Sequence, residues 1–123
     1  MGTIRLLRAY DPPDGGYRVL VDRLWPRGLA KADAHLDDWA KDAAPSHELR
    51  RWFHAGGSFD GFRERYLHEL HAGPAAEGAE RLRGLVREHE DVVFVYAGRT
   101  TGPNHATVLR DDIVDAAGGG RPE

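Results

Sequence analysis

The chain contains no cysteine. Disulfides, thiol nucleophiles and thiolate metal sites are therefore excluded at the outset. Long apolar runs are missing as well. The N-terminal stretch MGTIRLLRAYD has no signal-peptide core, and no window approaches a membrane span. A cytoplasmic protein without a membrane partner is the expectation. Nor is there an excess of one charge: the formal net charge is −3, so no bulk cationic field exists. A nucleic-acid partner would need a local basic patch. Lysine is scarce. Of 17 basic residues only Lys31 and Lys41 are lysines, read either as chance in an arginine-rich composition or as compact ammonium groups that arginine does not replace. Internal repeats are absent, and the only low-complexity stretch is the tail AAGGGRPE.

What is present is enough for one domain. A chain of 123 residues can bury a single core but not two. A domain over 1–117 with a flexible tail at 118–123 is expected. TIRLLRA (3–9) reads as a first strand. DPPDGG (11–16) cannot hold regular structure, because it stacks prolines, aspartates and glycines. YRVLVD (17–22) reads as a second strand, broken by Pro26 and Gly28. VVFVYA (92–97) is apolar at every position, the pattern of a central strand covered on both faces.

Between the second and third strands the periodicity turns helical. Ser46 is placed to cap a helix carrying Leu49, Trp52 and Phe53, and Ser58 one with Phe59, Phe62, Tyr66 and Leu70 on one face. A helix over roughly 75–90 buries Ala79, Leu82, Leu85 and Val86, with Glu77 and Arg81 at pairing distance. A last helix over roughly 104–117 ends at Gly118. Trp39, Trp52, Phe53, Phe59 and Phe62 are read as core. The order implies an α/β fold: a small, mostly parallel sheet of about three strands with helices packed against it, three-layered and Rossmann-like.

In open parallel sheets, ligands bind beyond the carboxyl ends of the strands. Here the second strand runs into DRLWPRG and the third into AGRTTGPNHA. If those strands are neighbours, one edge gathers Asp22, Arg23, Trp25, Arg27 and Lys31 with Arg99, Thr101 and Asn104 as candidate ligand contacts. His105, at the start of a helix, is the candidate acid–base residue. Arginine forks and a helix start suit a phosphate-bearing ligand, and Trp25 suits a base or ring, so a nucleotide or nucleic acid is the expected partner. Asp22 and Arg23 are read equally as an internal ion pair. The glycines at 98 and 102 match neither a Walker A loop nor a dinucleotide fingerprint, and no cofactor is expected. Ser46 and Thr101 are the candidate nucleophiles, in an incomplete constellation. His68 and His71 stand three apart on one helix without a third ligand, so no metal site is assigned.

Three words occur in order: VDRLWPRG, WAKDAAPSHELRRWF and VYAGRTTGPNHATVL. Together they resemble the DUF488 family, a domain of unknown function, and its short YeaO-like bacterial branch in particular. The resemblance runs from Arg5 to about Val114 and implies a small cytoplasmic α/β domain without implying a reaction. Its motif positions are Asp22, Arg23, Trp25, Pro26, Arg27, Gly28, Lys31, Trp39, Lys41, Pro45, Ser46, Arg50, Asn104 and His105. Where relatives often read YAAKD after the third strand, this chain reads YAGRT, so a Lys–Asp pair becomes Arg99–Thr100. Two further readings compete with anion binding. One is a non-catalytic regulatory or interaction module docking a protein through the segment from Trp25 to Trp39. The weaker is metal or haem binding through histidines. The sequence specifies no oligomeric state.

Overall fold

The computed structural model describes residues 3–98 and 104–118. Four strands form one sheet: β1 (Thr3–Arg8), β2 (Tyr17–Leu20), β3 (Asp38–Trp39) and β4 (Asp91–Tyr96), in the order β1-β4-β2-β3. Every pairing is parallel. Five helices accompany them: α1 (Lys31–Ala34), α2 (His47–His54), α3 (Phe59–Ala72), α4 (Ala76–Glu88) and α5 (His105–Gly118), with a 3-10 turn at Lys41–Ala43. The α/β class and the parallel sheet expected from the sequence are found. The expected tail beyond Gly118 lies outside the described residues.

β4 is central because it can be buried on both faces. Val92, Phe94 and Tyr96 face α3, α4 and α5 in the larger core, while Val93 and Val95 face away from them. That larger core also takes Tyr66, Leu70, Leu82, Leu109 and Ile113, all almost fully buried. The second face is covered thinly. There Leu20, Val93 and Val95 meet Trp25, Leu29, Leu36 and Trp39 from the segment that contains α1. The third layer is thus mostly irregular chain with one helical turn. Arg18 makes this possible. It is 3% exposed on the same side of β2 as Leu20, and its guanidinium donates to the carbonyls of Ala34 and His35, closing the end of α1.

The helix starts follow their sequence signals. Ser46 accepts from the Leu49 amide, and Ser58 from that of Gly61. Asn104 accepts from the amides of Ala106 and Thr107 at the start of α5. The Glu77–Arg81 pair does not form. Arg81 instead reaches across to Asp38 and Asp42, each at 3.0 Å, and this holds the Asp42 carboxyl below its usual pKa. α4 therefore clamps the 3-10 turn.

Two outcomes follow from this packing. Gly78 of α4 lies so close to the turn that a Cβ would overlap the backbone of Asp42 and Ala43. Alanine there gains about 1 kcal/mol of helix propensity but forces a backbone shift costing about 3 kcal/mol, so Gly78→Ala should lose about 2 kcal/mol in urea unfolding. Tyr66 is buried and donates to the Ala43 carbonyl at 2.6 Å. Burial pushes its phenol well above the usual value of 10, with Glu69 adding to the effect. A raised pKa stabilises the fold fully below the unfolded value and is lost as pH rises. The stability advantage of wild type over Tyr66→Phe should therefore shrink above about pH 10, by up to about 1.4 kcal/mol per pH unit. A pH-independent difference would contradict this reading.

Candidate ligand-binding site

All four strands point the same way, so their carboxyl ends share one edge of the sheet. Beyond that edge lies a cavity of about 790 Å³. Its construction begins where β2 stops. Val21 still donates to the Val95 carbonyl, and at Asp22 the chain leaves the ladder. The Asp22 side chain turns to the end of β4: Oδ2 accepts from the Ala97 amide at 2.9 Å. Oδ1 lies 2.8 Å from Nε2 of His105. Both of those atoms are buried, and neither makes an aligned hydrogen bond, so the contact is one of proximity. The Asp22 carbonyl accepts from the Trp39 indole at 2.7 Å. One residue thus joins the ends of β2, β3 and β4 to the start of α5.

Arg23 turns the opposite way. Its guanidinium donates to the carbonyls of Pro45 and Ala44, at 3.0 and 3.4 Å. This pins the loop after β2 to the chain leading into α2. The Asp22–Arg23 ion pair weighed from the sequence does not form, because each side chain has its own partner on a different element. Trp25 donates to the Leu29 carbonyl at 2.6 Å and meets Trp39 edge-on, with centroids 5.5 Å apart. Both tryptophans are half-buried, so the segment from Trp25 to Trp39 packs inward. The exposed Tyr10 donates to the Arg27 carbonyl and fixes the tip of the turn.

The cavity has two chemical characters. Phe53, Phe59, Phe62 and Tyr96 form an aromatic wall, with Phe62 and Tyr96 almost fully buried. Arg23, Arg27 and Arg50 supply positive charge. Arg27 and Arg50 have no acidic or hydrogen-bonding side-chain partner among the described residues. Asn104, His105 and Gly98 complete the lining from the β4–α5 side. None of the described lining residues is Ser, Thr, Cys or Lys.

Of the site residues expected from the sequence, Asp22, Arg23, Trp25, Arg27, Asn104 and His105 are brought together here. Lys31 is not. It is exposed on α1, outside the lining. Arg99 and Thr101 lie outside the described residues. Ser46 is committed elsewhere: it caps α2, and its amide and hydroxyl both donate to Glu69. Lys41 sits 4.3 Å over the Trp39 ring. His71 pairs with Asp112 rather than with His68, and the described residues contain no metal-ligand cluster. No helix among them is long and apolar enough to cross a membrane. Sequence reasoning assigned the phenylalanines to the core alone and missed Tyr10 and His54. A signal did exist for α2: Arg50, Phe53 and His54 stand at i, i+3 and i+4, a face mixing charge with rings.

The model of one family matches residues 3–119, with the description "Inactive DUF488-N3 subclade". The chain belongs to the DUF488 family. Its relatives in the family include "Uncharacterized protein YeaO" of Escherichia coli strain K12, 45% identical over 112 residues, spanning 89% of this chain and 95% of the relative. "Uncharacterized protein Rv3073c" of Mycobacterium tuberculosis strain H37Rv is 43% identical over 109 residues, spanning 86% and 89%. These DUF488 relatives are bacterial. No solved structure matches the chain.

Removing the Asp22 carboxylate should loosen this edge. Asp22→Ala leaves the Ala97 amide and the His105 ring without their partner, at a cost of about 1–3 kcal/mol. Asp22→Asn keeps an acceptor and should lose less. Chemical denaturation of both variants checks the order, and equal stability of Asp22→Ala and wild type would contradict it.

Proposed function

We propose that the cavity binds a phosphate-bearing ligand with a flat apolar part, a nucleotide or the end of a nucleic acid, and that it does so without turning the ligand over. The observation that carries this is the pairing of an aromatic wall with two arginines, Arg27 and Arg50, that no acidic side chain among the described residues neutralises. A ring packs against the wall, and a phosphate meets the guanidinium forks. The volume of about 790 Å³ suits a small organic ligand. In a chain of formal charge −3, cations at one edge with no acidic partner among the described residues mark a local preference for anions.

Binding is favoured over catalysis by the chemistry of the lining. An imidazole held by a carboxylate resembles part of a hydrolytic constellation. Yet the described lining offers no hydroxyl other than those of tyrosines, no thiol and no amine to act with it. The Ala97 amide takes one oxygen of Asp22, and the other makes no aligned hydrogen bond with His105. The word "inactive" in the family description agrees. His105 then serves as a binding contact and as part of the frame rather than as a base.

Calorimetric titration with nucleoside monophosphates, the parent nucleosides and inorganic phosphate tests this reading. The monophosphate should bind more tightly than either fragment. Arg27→Ala and Arg50→Ala should each weaken it about tenfold, or about 1.4 kcal/mol, with unchanged melting temperature. Equal binding by wild type and both variants would remove the proposal. Product formation on long incubation would overturn its non-catalytic part.

A further inference from the structure

α2 offers more positive charge than a mononucleotide can use. Beside the cavity a shallow groove runs along this helix, lined by His47, Arg50, Arg51, His54 and Ala55. Arg50 and His54 line both the cavity and the groove, so the two are continuous. Positions 47, 50, 51 and 54 share one helix face. They span about 10 Å along the axis at 1.5 Å per residue. Arg51, His47 and His54 are exposed and Arg50 is half-buried. None of the four has an ion-pair partner among the described residues. Glu48 is the sole acid on α2, and it pairs with neither arginine. Elsewhere the described arginines are mostly engaged: Arg5, Arg81, Arg83 and Arg110 hold carboxylates, and Arg8, Arg18 and Arg23 hold carbonyls. Arg63, Arg87 and Lys31 also lack an acidic partner among the described residues, but the α2 groups are the ones that adjoin the cavity, and they lead out of it along one face.

We propose that the cavity takes the terminal nucleotide of a single-stranded nucleic acid and that the following phosphates lie along the His47–His54 face of α2. A stacked strand carries one charge per about 3.4 Å, so about 10 Å of helix meets two or three phosphates. The aromatic wall supplies the stacking surface and α2 the cationic track, the two components of sequence-tolerant single-strand binding. This inference rests on the reading of the cavity given above and adds the identity of the ligand. It assigns Arg51, which lies outside the cavity, a role only in binding the strand.

The test is fluorescence anisotropy with short 5′-phosphorylated oligonucleotides, deoxy and ribo, in competition with a mononucleotide. The oligonucleotide should bind at least tenfold more tightly than the mononucleotide. Arg51→Ala should weaken the oligonucleotide several-fold and leave the mononucleotide unchanged. It should also lower the slope of log affinity against log salt by about 0.7, the release expected for one phosphate contact on a single strand. Equal affinity for the two ligands, with no effect of Arg51→Ala, would overturn the track along α2 while the cavity reading stands. Failure of both ligands to bind would overturn the cavity reading and this inference together.

Discussion

The site depends on a single carboxylate. Asp22 stands where β2 ends and draws in the Ala97 amide at the end of β4 and the His105 ring at the start of α5. Its carbonyl also anchors Trp39, the last residue of β3. A parallel sheet leaves its strand ends loose, because each connection departs for a different layer. Here those ends are gathered by one residue, and the cavity exists because they are. Arg23 extends the arrangement in the other direction by binding the backbone that leads into α2. Two neighbouring residues of opposite charge are thereby used as opposite braces, each satisfied by a different part of the chain.

Charge is divided by task across the molecule. Carboxylates are spent on structure: Asp38 and Asp42 clamp α4 through Arg81, Asp91 and Asp14 hold Arg5, and Asp112 meets His71 and Arg83. Exposed pairs of this kind contribute little stability individually, and no acid among the described residues pairs with Arg27 or Arg50 at the cavity. A chain that is acidic overall can in this way present a basic face. The distribution of partners, rather than the composition, creates the local field.

Much of the fold was legible, and its limits were physical. β4 announced itself as central because every position from 92 to 96 is apolar. Ser46 and Ser58 marked helix starts that the structure retains. The meeting of the two loops beyond the strands followed from placing β2 beside β4, which the register shows. By contrast, β3 has two residues and α1 four, too few for any periodicity to appear. The contact of Asp22 with His105 joins segments far apart in the chain, and no local pattern encodes it. Phe53, Phe59 and Phe62 read as core because a buried stripe looks the same whether its far side meets other side chains or an open cavity. Lys31 stood close to Arg27 in sequence, but the turn after Gly28 carries it onto the other face of the sheet.

The brevity of β3 has a consequence for how the protein meets its neighbours. β3 forms one margin of the sheet, and two residues offer too short a row of amides and carbonyls to recruit a strand from another molecule. The chain then bends at once into the 3-10 turn, which Arg81 and the close approach of Gly78 hold under α4. That margin is closed to growth. Among the described strands, sheet-to-sheet association can start only along β1, on the side of the molecule away from β3.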